Sequence, residues 1–276
     1  MEDVAEILKW YMLAGVDFIC ADESYNAFID SASKKEISVA SVKTSEAYQN
    51  NTHNDYQISD IPVRPATTLL AQANDSACKN ARELCSGAQS LDQLRQIVEN
   101  FDGCSLKFSA NSTVFGYGNP NADIMFIGEA PGADEDREGK PFVGRSGHLL
   151  DKMIAAIGLK REDCFISNIL PWRPPGNRTP TDGEVAVCLP FLRRQIELVN
   201  PKVIFLLGGS AANAVLENAD SISALRGHFI DYTTSEGTII PTLSTYHPAF
   251  LLRTPNQKAK SWSDFMRLQR KLAEII

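Results

Sequence analysis

The chain has 276 residues, 43% of them apolar, and a formal net charge of −7. That is enough apolar material for one well-buried domain with an appendage. The acidic balance argues against a protein that coats nucleic acid non-specifically. No window approaches the roughly 18 uninterrupted apolar residues of a membrane span, so no membrane partner is expected.

The opening stretch MEDVAEILKWYMLAGVDF starts acidic and lacks the basic region of a signal peptide. We read it as an amphipathic helix and expect a cytoplasmic protein. Residues 1–30 form an N-terminal helical segment in this reading. Residues 31–75, rich in Ser, Thr, Asn, Asp, Lys and Ala without a sustained apolar period, form a linker of low order. Residues 76–276 form the main domain. It opens on a helical pattern over 76–100, where Ala81, Leu84, Cys85 and Ala88, then Leu91, Leu94, Ile97 and Val98, recur at spacings of three and four.

Buried strands and helices then alternate. ADIMFIGEA (122–130) reads as a strand and LLDKMIAAIGL (149–159) as a helix closed by Gly158. DCFISNIL (163–170) is a second strand, and EVAVCLPFLRRQIELV (184–199) a long helix carrying Pro190. KVIFLLGG (202–209) is a third strand, followed by a helix from SAANAVL with Ser210 as its N-cap. TIIPTLSTYHP (238–248) is a fourth strand, and SWSDFMRLQRKLAEI (261–275) closes the chain as a helix. This alternation predicts an α/β fold with a parallel sheet covered on both faces. Ligands of such sheets sit beyond the carboxyl ends of the strands. Glu129, Asn168, Gly208, Gly209 and His247 fall there.

Three stretches carry the candidate chemistry. GEAPGADEDREGKPFVGRSGHLL (128–150) combines five glycines with Glu129, Asp134, Glu135 and Asp136 and one aromatic, Phe142. Taken alone it would be a strand-to-helix turn with solvated acids, and it lacks the Gly-Lys-Ser/Thr of a phosphate-binding loop. NILPWRPPGNRTPT (168–181) sets Asn168 before a proline-stiffened loop bearing Arg173 and Arg178. STYHPAFLLR (244–253) sets His247 before a proline and ends on Arg253. Other basic clusters are Arg137, Lys140 and Arg145, and Lys258 with Lys260. Any contact with a polyanion must come from such local groups, because the field of the whole molecule is unfavourable.

Together and in this order, GE-x-PG-x-x-ED-x-x-G-x-PFVG, N-x-x-x-x-RPPGNR-x-P and HP-x-x-LLR resemble the family 4 uracil-DNA glycosylases of bacteria and archaea. The Trp172-bearing PWRPPGNRTPT is most similar to an alphaproteobacterial subgroup. The likeness runs from about Cys104 to Trp262 and implies a three-layer α/β/α fold with a four-stranded parallel sheet. It also implies a hydrolase of DNA repair, acting as a monomer on uracil-containing DNA and cutting the N-glycosidic bond of a flipped base. Phe142 would stack on the ring and the Asn168 amide would read its edge. His247 would donate to the charge developing on uracil O2, and Glu129 would act on water. Ala130 and Glu135 would line the pocket, with Glu135 crowding the C5 position. Asn177, Arg178 and Arg253 would hold the DNA backbone. The loop after Asn168 offers no histidine to trap DNA, so turnover is expected.

The resemblance also implies a [4Fe–4S] cluster on four cysteines, and here the chain departs from it. The six cysteines are Cys20, Cys78, Cys85, Cys104, Cys164 and Cys188, with no CxxC pair. Cys104 and Cys188 match the second and last ligands. Phe101 and Trp172 stand where the other two should be. Two thiolates do not hold a cubane, so no cofactor is expected and six free thiols are. Two alternatives stay open: a non-catalytic DNA-binding module that keeps the glycosylase fold, and a hydrolase of free nucleosides on a similar sheet.

Overall fold

In the computed structural model the described residues run from 66 to 275, with side chains described from residue 74. The expected N-terminal helices over 1–30, and the linker as far as residue 65, lie outside them. The helical pattern over 76–100 resolves into two helices, α1 (Ala66–Ser86) and α2 (Leu91–Asn100). The first begins ten residues earlier than expected, inside the stretch assigned to the linker. ATTLLAQAN is rich in the strong helix formers Ala, Leu and Gln, and it lacks Gly and Pro. Ser90 caps α2 by accepting from the Gln93 amide.

The sheet holds six strands in the order β1-β3-β2-β4-β6-β5. They are β1 (Tyr117–Gly118), β2 (Ile124–Gly128), β3 (Phe165–Asn168), β4 (Val203–Leu207), β5 (Phe229–Thr233) and β6 (Ile239–Thr245). The four central strands β3, β2, β4 and β6 are parallel. The expectation of four strands omitted two antiparallel edges, β1 on β3 and β5 on β6. Neither edge has the apolar run that marked the others: β1 is two residues long, and β5 alternates exposed Phe229, Asp231 and Thr233 with half-buried or buried residues.

Period-two alternation along the parallel strands feeds two layers. On one face Phe126, Phe205 and Leu243 pack against α4 (Arg145–Ala156) and α9 (Lys258–Ile275). Phe205 meets Phe265 of α9 edge-on at 4.8 Å between ring centroids, an arrangement that adds about 0.5–1.5 kcal/mol to plain burial. On the other face Met125, Ile127, Ile204 and Leu206 pack against α5 (Asp182–Val199) and α6 (Gly209–Leu216). A third cluster joins α1, α2 and the first turns of α5 around Phe101, Cys104, Trp172 and Cys188. Shorter helices α3 (Ala133–Glu138), α7 (Ile222–Leu225) and α8 (Pro248–Arg253) fill the connections.

Register brings the site residues level. Gly128 lies opposite Asn168, and Leu207 opposite Thr245. Chain order reverses direction around β2, which has β3 on one side and β4 on the other. The crevice at such a reversal is where α/β sheets take ligands, and Glu129 is the residue that leaves β2 into it.

Candidate active site

A cleft of about 460 Å³ opens at that point, lined by Glu129, Ala130, Pro131, Gly132, Glu135, Phe142, Ser146, Asn168, Pro174, Asn177, Arg178, Thr179, His247, Ala249 and Arg253. Every residue given a role above in catalysis, base recognition or holding the DNA backbone is in this set, whereas Arg173 and the clusters Arg137, Lys140 and Arg145, and Lys258 with Lys260, are not. Ser146, Thr179 and Ala249 are added by the fold, and nothing in their local sequence marked them.

The floor is built on a missing side chain. A Cβ on Gly128 would lie 2.4 Å from Asn168 Oδ1 and 2.6 Å from Phe142 Cζ. Glycine there lets the amide and the ring close on the same point of the strand. Asn168 is buried, and its Oδ1 has no hydrogen-bond partner among the described residues. A buried acceptor left unmet costs roughly 1–3 kcal/mol, a cost that a donor brought by a ligand would relieve.

Phe142 is held in place by Glu135. The Phe142 backbone is left-handed, at φ 53°, a conformation that a bulky residue adopts only where its surroundings enforce it. Glu135 Oε1 accepts from the amides of Val143 and Gly144 at 3.0 and 2.9 Å, and its Oε2 accepts from Gly132 at 3.0 Å. The neighbouring Asp136 accepts from the Asn111 and Ser112 amides at 2.8 and 3.1 Å. These two acids are therefore buried, where an acidic run read alone would be solvated. The Glu135 carboxylate is spent on three backbone donors and serves as a brace for the loop.

His247 caps α8. Its Nδ1 accepts from the Ala249 amide at 3.1 Å, so the neutral ring carries its proton on Nε2. Burial pushes the imidazole down to about 4, and the Arg253 guanidinium pushes it the same way. At neutral pH His247 is thus an uncharged donor. Its ring centroid lies 5.7 Å from that of Phe142. Gly208, at φ 97°, passes directly beside it: a Cβ there would sit 3.0 Å from His247 Cβ.

Glu129 Oε2 accepts from Ser210 Oγ at 2.5 Å. The expected role of Ser210 as an N-cap is corrected: Gly208 occupies the cap position of α6, and the Ser210 hydroxyl reaches across to β2. At the rim, Arg173 Nε donates to Asn177 Oδ1 at 2.7 Å. Arg178 donates to both oxygens of Glu184, at 2.9 and 2.6 Å. Arg178 thereby holds the Glu184 carboxyl at about 2. Arg253 has no ion pair among the described residues.

The third cluster tests for a metal centre. Cys188 Sγ donates to Cys104 Sγ at 3.9 Å. That hydrogen bond and burial together keep the Cys188 thiol well above its ordinary range. The same hydrogen bond pulls the Cys104 thiol below its ordinary range. Phe101 and Trp172 are 2% and 1% exposed in the same cluster, and Trp172 Nε1 donates to Thr113 Oγ1 at 3.0 Å. Among the described residues no group of three His, Cys, Asp or Glu side chains could hold a metal ion. A single pair of cysteines in contact, beside two packed rings and with no third ligand grouped with it, does not fit a four-thiolate cluster.

Fold and site together define an α/β protein with a polar cleft at the switch point of its sheet. The sequence profile of the uracil DNA glycosylase superfamily matches residues 115–266. A type-4 uracil-DNA glycosylase of Sulfurisphaera tokodaii is 41% identical over 185 residues, 65% of this chain and 84% of that protein. Its counterpart from Archaeoglobus fulgidus is 40% identical over 184 residues, 65% and 92% of the two chains. That from Thermotoga maritima is 41% identical over 164 residues, 59% and 83% of the two chains. The chain belongs to the uracil-DNA glycosylase superfamily and, within it, to the type-4 family.

Proposed function

We propose that Glu129, Phe142, Asn168 and His247 act together on one everted uracil. The chain is a DNA repair glycosylase, a hydrolase that removes uracil from DNA. A base inside a duplex is out of reach, so it is flipped into the cleft at a cost of a few kcal/mol, which stacking on Phe142 partly offsets. The observation that carries the reading is the orphaned Asn168 Oδ1. Uracil N3–H supplies its donor, and uracil O4 accepts from the amide NH2. Cytosine reverses both partners, so it would leave buried groups facing their own kind.

Cleavage of the N-glycosidic bond leaves an oxocarbenium-like sugar and a uracil anion. The Nε2–H of His247 donates to O2 as that charge grows, while Nδ1 of the neutral ring stays bound to the Ala249 amide. A donor aimed at transition-state charge is worth about 3–4 kcal/mol. Glu129 orients or deprotonates the attacking water and stabilises the cation. The wall made by Ala130, Gly132 and Glu135 faces C5 and crowds out a methyl group. Asn177, Arg178 and Arg253 meet phosphates, where they position DNA without reading sequence. Arg253 carries most of that charge, because Glu184 already occupies Arg178.

We further propose that the enzyme works as a cytoplasmic monomer without an iron–sulfur cluster, the volume being filled by Phe101 and Trp172. The test is an oligonucleotide with a single uracil, incubated with purified protein of measured iron content. Alkali-labile breaks at uracil, none at thymine, and iron far below one atom per chain are expected. Activity that appears only with bound iron would overturn the cofactor assignment. Cleavage of free deoxyuridine with none on DNA would favour the nucleoside hydrolase.

A further inference from the structure

We infer that Ser210 is a positioning residue for Glu129, holding the plane of its carboxylate so that one oxygen remains for water. This rests on the proposed role of Glu129. Among the described residues, the Ser210 hydroxyl is the protein group hydrogen-bonded to that carboxylate, and it engages Oε2 alone. Oε1 is left without a protein donor on a residue that lines the cleft. Ser210 itself is not part of the cleft lining. It therefore reaches the reacting atoms only through Glu129.

Three features argue for positioning over ordinary helix capping. The hydroxyl crosses 81 residues of chain to its partner, leaving the cap of α6 to Gly208. The contact is short at 2.5 Å, in the range of O–H donors on ionised oxygens. The same turn also touches the other side chain proposed to act on the scissile bond, since Gly208 packs against His247. One rigid turn after β4 thus fixes Glu129 on one side and His247 on the other. A carboxylate on a long side chain has several rotamers, and a third group that orients the base is a recurrent need of acid–base sites.

Removing the Ser210 hydroxyl should therefore release the plane of the Glu129 carboxylate. The experiment measures single-turnover excision from a uracil oligonucleotide for wild type, Ser210→Ala, Ser210→Thr, Glu129→Gln and the double variant Glu129→Gln/Ser210→Ala. Affinity is read on an oligonucleotide with a non-cleavable 2′-fluoro deoxyuridine, and folding by thermal melting.

Ser210→Ala should slow excision roughly 10- to 100-fold, the range for a lost hydrogen bond to a charged group. Affinity and melting temperature should be unchanged. Ser210→Thr keeps the hydroxyl and should restore most of the rate. In the Glu129→Gln background, Ser210→Ala should add little. A wild-type rate in Ser210→Ala, an equal defect in both Ser210 variants, or full additivity in the double variant would overturn the inference. Those outcomes leave the role of Glu129 standing. Near-normal excision by Glu129→Gln would instead remove that role, and the inference with it.

Discussion

Replacing Asn168 by Ala should lower kcat/KM on uracil-containing DNA by about 100- to 1000-fold, the sum of two lost hydrogen bonds at a buried site. The loss should fall mainly on recognition, so the ratio of uracil to cytosine excision should collapse with it. The reason is the geometry of the floor: among the described residues Oδ1 has no hydrogen-bond partner to fall back on, and the Phe142 ring that closes beside it over Gly128 offers none. Asn168→Asp keeps the shape but presents only acceptors when ionised, so it should be comparably slow on uracil. Its protonated form can donate to cytosine N3 while the second oxygen accepts from the amino group. Cytosine excision should therefore emerge as pH falls. Steady-state rates on matched uracil and cytosine oligonucleotides check both outcomes.

His247→Ala should cost about 100- to 1000-fold in kcat, the usual effect of deleting a preorganised donor to a developing anion. The wild-type rate should show no imidazole limb between about pH 5 and 8, because the ring is held down to about 4 and is neutral throughout that range. The same displacement has a consequence for stability. The folded value lies below the ordinary 6.5, so the contribution of neutral His247 is fully present above pH 6.5. It is lost as pH falls from there towards about 4, where the unfolded chain takes up a proton that the folded ring refuses. Melting temperature should decline through this window in the wild type, and less steeply in His247→Ala. The variant should also melt lower at neutral pH, because α8 loses its cap, typically worth about 1 kcal/mol.

The parallel core of the fold is readable from sequence because its strands are buried on both faces. IMFIG and VIFLL carry no alternation to confuse with a surface strand. The edge strands were missed for the converse reason: Phe229, Asp231 and Thr233 face outward, and pairing with β6 decides their conformation. Glu129, Asn168 and His247 were legible because each directly ends a parallel strand or follows its end, and strand ends converge. Contacts made through space were not. Ser210 begins a helix, where a serine is ordinarily a cap, and only the neighbouring strand reveals its hydroxyl bound to Glu129. Glu135 sits in an acidic run, yet its carboxylate is enclosed by Gly132, Val143 and Gly144, whose amides are brought round by the loop that carries Phe142. Arg178 offered a free charge by sequence, and the turn at Thr181 that pairs it with Glu184 lies in the cap of α5.

The convergence of four side chains on one pyrimidine is tested most directly by a crystal structure of the protein with uracil bound. The ring should stack on Phe142, with N3 within hydrogen-bond distance of Asn168 Oδ1, O2 on His247 Nε2, and Glu129 Oε1 facing the sugar side. Uracil bound elsewhere, or in the cleft with Asn168 Oδ1 still unpartnered, would contradict the account.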